Sequence, residues 1–103
     1  MNLNIKRTVW KKSRDKVWVK HLARDNTRDF QLDLIKLEPN TTYTSHRHPD
    51  AEWVYVLKGG FTDESGSFGE GDFKINEKHS EHTIKTPKSG CILFVCWCGR
   101  LEE

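Results

Sequence analysis

Thr44–Gly60 reads TSHRHPDAEWVYVLKGG, and this stretch decides the fold and points to the chemistry. His46 and His48 stand two residues apart, so on an extended strand they share one face. Pro49 and Asp50 turn the chain, and Glu52 follows at the head of a second strand. Two imidazoles and a carboxylate then converge in a manner suited to a first-row divalent ion: iron, zinc, nickel or manganese. Beyond the turn the residues alternate. Glu52, Val54 and Val56 take one face, and Trp53, Tyr55 and Leu57 the other. Gly59-Gly60 is a turn signal, which predicts that the strand stops there. A solitary His-x-His pair commonly decorates a wet strand; the acidic residue four positions on and the closing glycine shift the balance toward a metal.

Written as His46-x-His48-x3-Glu52-x6-Gly59, the stretch resembles the first motif of the cupins. Their second motif, Gly-x5-Pro-x-Gly-x2-His-x3-Asn, is present in degraded form. Gly71 and His82 match it, while Glu77, His79 and Thr86 replace its proline, second glycine and asparagine. Asn40 replaces the leading glycine of the first motif and can also adopt left-handed backbone angles. The run EWVYVLKGGFTDESGSFGEGDF, residues 52–73, is most similar to the cupin domain of ChrR-type anti-sigma factors and their single-domain relatives. The resemblance implies an all-β fold, a cupin-type double-stranded β-helix or jelly-roll barrel. It also implies one divalent metal (Fe, Zn, Ni or Mn) held by His46, His48, Glu52 and His82. On an octahedral ion those ligands leave two positions open; on tetrahedral zinc they leave none. Because imidazole must be neutral and carboxylate ionised, binding is expected to weaken in acid. His79 lacks the motif spacing and is expected to be a non-ligand.

The chain has 103 residues, fitting one domain over 1–103. A strand-like N-terminal extension covers 1–30, motif one 40–59 and motif two 71–86. A net charge of +2, with both signs interspersed, is too weak to argue for nucleic acid. No apolar run reaches the ~18 residues of a membrane span, and MNLNIKRTVWKKSRDK lacks the apolar region of a secretory signal. The expected location is cytoplasmic. Cys91, Cys96 and Cys98 are an odd set that argues against a disulfide framework. Cys96-Trp97-Cys98 reads either as a soft-metal or redox pair or as small hydrophobes in a β-core, and the burial typical of free cysteine favours the core.

Seven or more short strands with frequent turns, and no apolar 3.6 period, indicate a β-sandwich or barrel. Lys16–Leu22, Phe30–Leu37, Thr41–His48 and Cys91–Cys98 read as strands, the last a central one. By parity, Val54, Val56, Phe94, Cys96 and Cys98 point inward and make an apolar pocket for a small organic ligand. The same count turns Tyr43 and Tyr55 away, and His21 reads as a surface histidine. Related cupins include dioxygenases, so the resemblance implies a metal-dependent dioxygenase acting on a small carbonyl compound. The alternative is a non-catalytic, ChrR-like metal-binding or sensing module. A counterpart of the helical zinc domain by which ChrR-type proteins hold a sigma factor is not expected ahead of the first strands. A homodimer is expected through the two-sided apolar strand FQLDLIKL, with Trp10 and Trp18 nearby.

Overall fold

The computed structural model describes residues 3–44 and 51–98. After one turn of 3-10 helix at Ile5–Arg7 come nine strands: β1 (Lys11–Arg14), β2 (Val17–Asp25), β3 (Phe30–Leu37), β4 (Thr42–Thr44), β5 (Glu52–Asp63), β6 (Gly66–Gly69), β7 (Phe73–Asn76), β8 (Thr83–Lys85) and β9 (Cys91–Trp97). They form one antiparallel sheet in the order β1-β2-β3-β9-β5-β8-β4, with β6 and β7 also paired to β5. The sheet curls into the kind of jelly-roll barrel that the resemblance implies, and its inner face packs Val17, Leu37, Val54, Val56, Phe61, Leu93, Val95 and Trp97 into one core. Among the described residues, no helix is long and apolar enough to cross a membrane.

β9 lies between β3 and β5, as its nearly unbroken apolar sequence requires of a strand covered on both faces. Its inward set is the reverse of the expected one. Val54 pairs with Val95, Val56 with Leu93 and Glu52 with Trp97, so Leu93, Val95 and Trp97 join the inner face. Phe94 and Cys96 pair with Tyr55 and Trp53 on the outer face. Every residue of CILFVCWC is apolar, so local alternation carries no information; cross-strand register alone sets which side faces in. Cys91 and Cys96 are buried free thiols pushed up to about 12, chiefly by burial, which fits core hydrophobes and not reactive groups.

Gly59-Gly60 does not end the strand. β5 runs for 12 residues through the pair. Its first half pairs with β7 and β9 and its last residues with β6 and β8, so the strand passes from one part of the barrel to the other. A register shift between Val56 and Lys58 supplies the bend. Gly59 has φ +68°, and a Cβ there would overlap the Gly90 carbonyl oxygen. The glycine is therefore needed for a close crossing of two backbones rather than for a turn.

The degraded motif positions keep their backbone geometry although their residues differ. Asn40 and His79, which stand where the motifs have glycine, adopt φ +55° and +65°. Thr86, in place of asparagine, is buried. Its Oγ1 accepts from the Thr41 N–H at 2.8 Å and donates to the Glu38 carbonyl at 2.8 Å, tying the end of β8 to the β3–β4 turn.

Candidate metal centre

Glu52 and His82 are thirty residues apart in sequence, yet both line one narrow cavity of ≈ 20 Å³ inside the barrel, room for about one water-sized group. Ile35, Leu37, Val54, Phe61, Ile84, Leu93 and Val95 form its apolar walls; Tyr43, Asp63, Lys74, Asn76 and Trp97 add polar atoms. His46 and His48 lie outside the described residues.

Glu52 opens β5 and is in register with Asn76, the last residue of β7. Asn76 Nδ2 donates to Glu52 Oε1 at 2.6 Å. Burial pushes the Glu52 carboxyl up to about 7, against the Asn76 hydrogen bond and the Lys74 charge, which act to lower it. The other amide atom, Asn76 Oδ1, is buried with no hydrogen-bond partner. An orphaned acceptor of this kind costs about 1–3 kcal/mol unless something else fills it.

Two residues before Asn76 on the same face of β7, Lys74 is ion-paired with Asp63, whose side chain is wholly buried. His82 Nδ1 lies 3.7 Å from Asp63 Oδ2, and its Nε2 is 3.1 Å from Ser80 Oγ. Burial, with the Lys74 charge, lowers the His82 pKa despite Asp63 and Glu64, so the imidazole is neutral at pH 7, as a metal ligand must be. Burial acts to raise Asp63, but hydrogen bonds from Lys74 and Ser65 outweigh it and hold the carboxyl below its ordinary value. Asp63, Glu64 and His82 bring potential ligand atoms within 4.8 Å of one another. The Lys74 ammonium already neutralises Asp63, and both Glu64 oxygens accept from the Thr83 N–H at 3.0 Å, so this trio is poorly suited to a cation.

A third set of contacts holds the cavity wall. Asp33 is buried on the inner face of β3, where its Oδ2 accepts from Trp97 Nε1 at 2.7 Å and from Gln31 Nε2 at 2.8 Å. Its Oδ1 lies 2.8 Å from Nδ1 of His21, an exposed surface histidine as expected. Trp97 is in register with Glu52, so this buried carboxylate fixes the indole beside the candidate ligand.

Several side chains differ from the sequence reading. Tyr43 lines the cavity instead of turning away, and burial raises its hydroxyl pKa. The parity count ran from His46, which lies outside the described residues; within β4 (Thr42–Thr44) Tyr43 pairs with Ile84 of β8, another residue of the cavity. Tyr55 does face outward, and His79 is exposed in a turn and does not line the cavity. Asp33, Asp63, Lys74 and Asn76 had no motif to mark them. The one local hint was Asn76, a polar residue closing the short strand FKIN.

A neutral imidazole, a buried carboxyl that ionises near pH 7, and a buried acceptor without a hydrogen-bond partner around one cavity suit a divalent metal. Fold and site together define a cupin. The sequence profile of the ChrR cupin-like domain family matches residues 1–98, and the chain belongs to that family. DddL of Cereibacter sphaeroides, named as a dimethylsulfoniopropionate lyase, is 32% identical over 75 residues, covering 70% of this chain and 32% of the relative. Anti-sigma ChrR in its complex with SigE, from Rhodobacter sphaeroides, superposes with a TM-score of 0.79 at 24% identity, over 91% of this chain and 50% of that one. An acetylacetone dioxygenase from Acinetobacter johnsonii gives a TM-score of 0.76 at 8% identity, over 94% and 71% of the two chains. The chain thus spans about a third of DddL and half of the ChrR structure's chain.

Proposed function

We propose that this cupin binds one divalent transition metal through His46, His48, Glu52 and His82, and acts as a mononuclear dioxygenase-type enzyme on a small carbonyl compound. The observation that carries the reading is the convergence of Glu52 and His82, from distant strands, on one enclosed and mostly apolar cavity. Bound there, the metal would supply Lewis acidity and open coordination positions for substrate and oxygen. The chain's own residues do the rest. Asn76 holds the Glu52 carboxyl, and Asp33 holds the Trp97 wall. The aliphatic side chains exclude bulk water. The likeness in fold to an acetylacetone dioxygenase agrees with this reading. The test is oxygen uptake by the iron-loaded chain across ketones and diketones. Uptake with at least one compound is expected; none across the panel would overturn the dioxygenase assignment.

The family membership and the likeness to ChrR favour a second reading, a non-catalytic sensing module whose cavity reports a metabolite or oxidant. The similarity to DddL favours turnover without oxygen. Assaying the same panel anaerobically, with dimethylsulfoniopropionate added, separates them. A lyase turns over without oxygen, whereas a sensor turns over nothing in either condition.

A homodimer belongs to the same proposal, through a different surface from the one FQLDLIKL suggested. Trp10 lies beneath the Lys20 and Lys36 ammonium groups, so the N-terminal segment already covers that side. The open apolar surface is instead on β5 and β7. Trp53 pairs with Ile75 and Tyr55 with Phe73, exposed by 42, 53, 40 and 58%. Together they offer roughly 300–400 Å² of apolar area, about half of the ~800 Å² a stable interface buries per partner. Twofold packing of this face on its own copy buries all four, with the strand rims supplying the remainder. Sedimentation is expected to give a dimer that Trp53→Glu with Phe73→Glu converts to monomer. A monomeric parent chain would remove the claim.

A further inference from the structure

Asn76 is only 5% exposed, and its two amide atoms have different fates. Nδ2 donates to Glu52 Oε1 at 2.6 Å. Oδ1 is buried and accepts nothing from the protein. Two strong donors that also line the cavity are committed elsewhere, the Lys74 ammonium to Asp63 and the Trp97 indole N–H to Asp33. The free space in the cavity is ≈ 20 Å³, so a ligand can place only one water-sized group beside this acceptor. An acceptor buried this deeply, at the edge of a space this small, calls for a single O–H or N–H.

We propose that Asn76 sets the ligand specificity of the cavity: its Oδ1 accepts a hydrogen bond from one O–H or N–H donor on the small molecule that binds beside the metal, while its Nδ2 keeps the Glu52 carboxyl turned toward that metal. The inference rests on the metal-centre reading and adds the class of ligand. Molecules carrying a donor next to their metal-binding atoms are selected, and acceptor-only analogues are rejected because they leave Oδ1 unpaired. Before a ligand enters, a water suits the same position.

The test uses the full chain loaded with cobalt(II), whose visible absorption reports ligand binding. It is titrated with acetohydroxamic acid and with N-methylacetohydroxamic acid, which chelates alike but lacks the N–H. The parent chain is expected to bind the N–H probe roughly five- to tenfold more tightly. Asn76→Leu, which keeps the branch at Cγ but carries no polar atom, is expected to bring the ratio near one by weakening the N–H probe; it also frees Glu52, so a lower cobalt affinity is expected and the variant is loaded at higher cobalt. Equal affinities in the parent chain overturn the proposal with the metal centre intact. A preference that survives in Asn76→Leu assigns the discrimination to the bulk of the methyl group and also overturns it. Should that variant fail to fold, Asn76→Ala takes its place, and the same two outcomes apply. A parent chain that takes up no cobalt overturns the metal centre itself, and this inference with it.

Discussion

Glu52→Gln is expected to lower metal affinity at least about a hundredfold and, at the same time, to remove the main pH dependence of the metal-free chain. The two effects share one cause. Burial raises the Glu52 carboxyl from 4.5 to about 7, so the folded chain holds this proton more tightly than the unfolded one. Between those values the folded state carries more protons, and stability therefore falls as pH rises. The contribution is fully present below about pH 4.5 and gone above about pH 7. For this group alone the loss from pH 5 to pH 8 is roughly 2–3 kcal/mol. Metal binding runs the other way, because a proton competes with the ion for the same oxygen. Glutamine still accepts the Asn76 hydrogen bond and never ionises. Denaturant midpoints of the metal-free variant should therefore no longer fall from pH 5 to pH 8, the lowered His82 pKa leaving at most a rise, while those of the parent chain fall. A variant that keeps the parent's pH slope would place the titrating group elsewhere.

Asp33→Ala is expected to cost about 3 kcal/mol in folding stability. It strips the acceptor from Trp97 Nε1 and Gln31 Nε2 and opens a void in the inner face. Because Trp97 is in register with Glu52, a weaker metal affinity should accompany the loss. Asp33→Asn keeps an oxygen for the indole N–H and should recover most of both. Urea midpoints and metal affinities of the two variants supply the check. A cost below about 1 kcal/mol for Asp33→Ala would mean that the carboxylate does not hold the wall.

What could be read in advance divides along physical lines. Glu52 to Leu57 alternates in polarity, so its inward face was legible, and the structure keeps Val54 and Val56 in the core. CILFVCWC was recognisable as a central strand, but an all-apolar run says nothing about which side faces in. Gly59-Gly60 looked like a turn because glycine marks both a turn and a close backbone crossing, and only the neighbouring Gly90 strand distinguishes them. At the candidate site, Glu52 and His82 were visible through motif spacing. Asp33, Asp63, Lys74 and Asn76 come together only through long-range pairing, which leaves no mark on the residues beside them. Tyr43 was misassigned because its facing was counted from His46, whereas the pairing with Ile84 across β4 and β8 is what sets it.

The most direct test of the metal centre is elemental analysis of the chain purified without chelators or an affinity metal, beside a His46→Ala, His48→Ala double variant. Close to one equivalent of a divalent transition metal in the parent chain, lost in the variant, is the predicted result; iron, manganese or nickel would favour an open centre, and zinc a sensing one. No metal in the parent chain, and none taken up on reconstitution, would contradict the account at its centre.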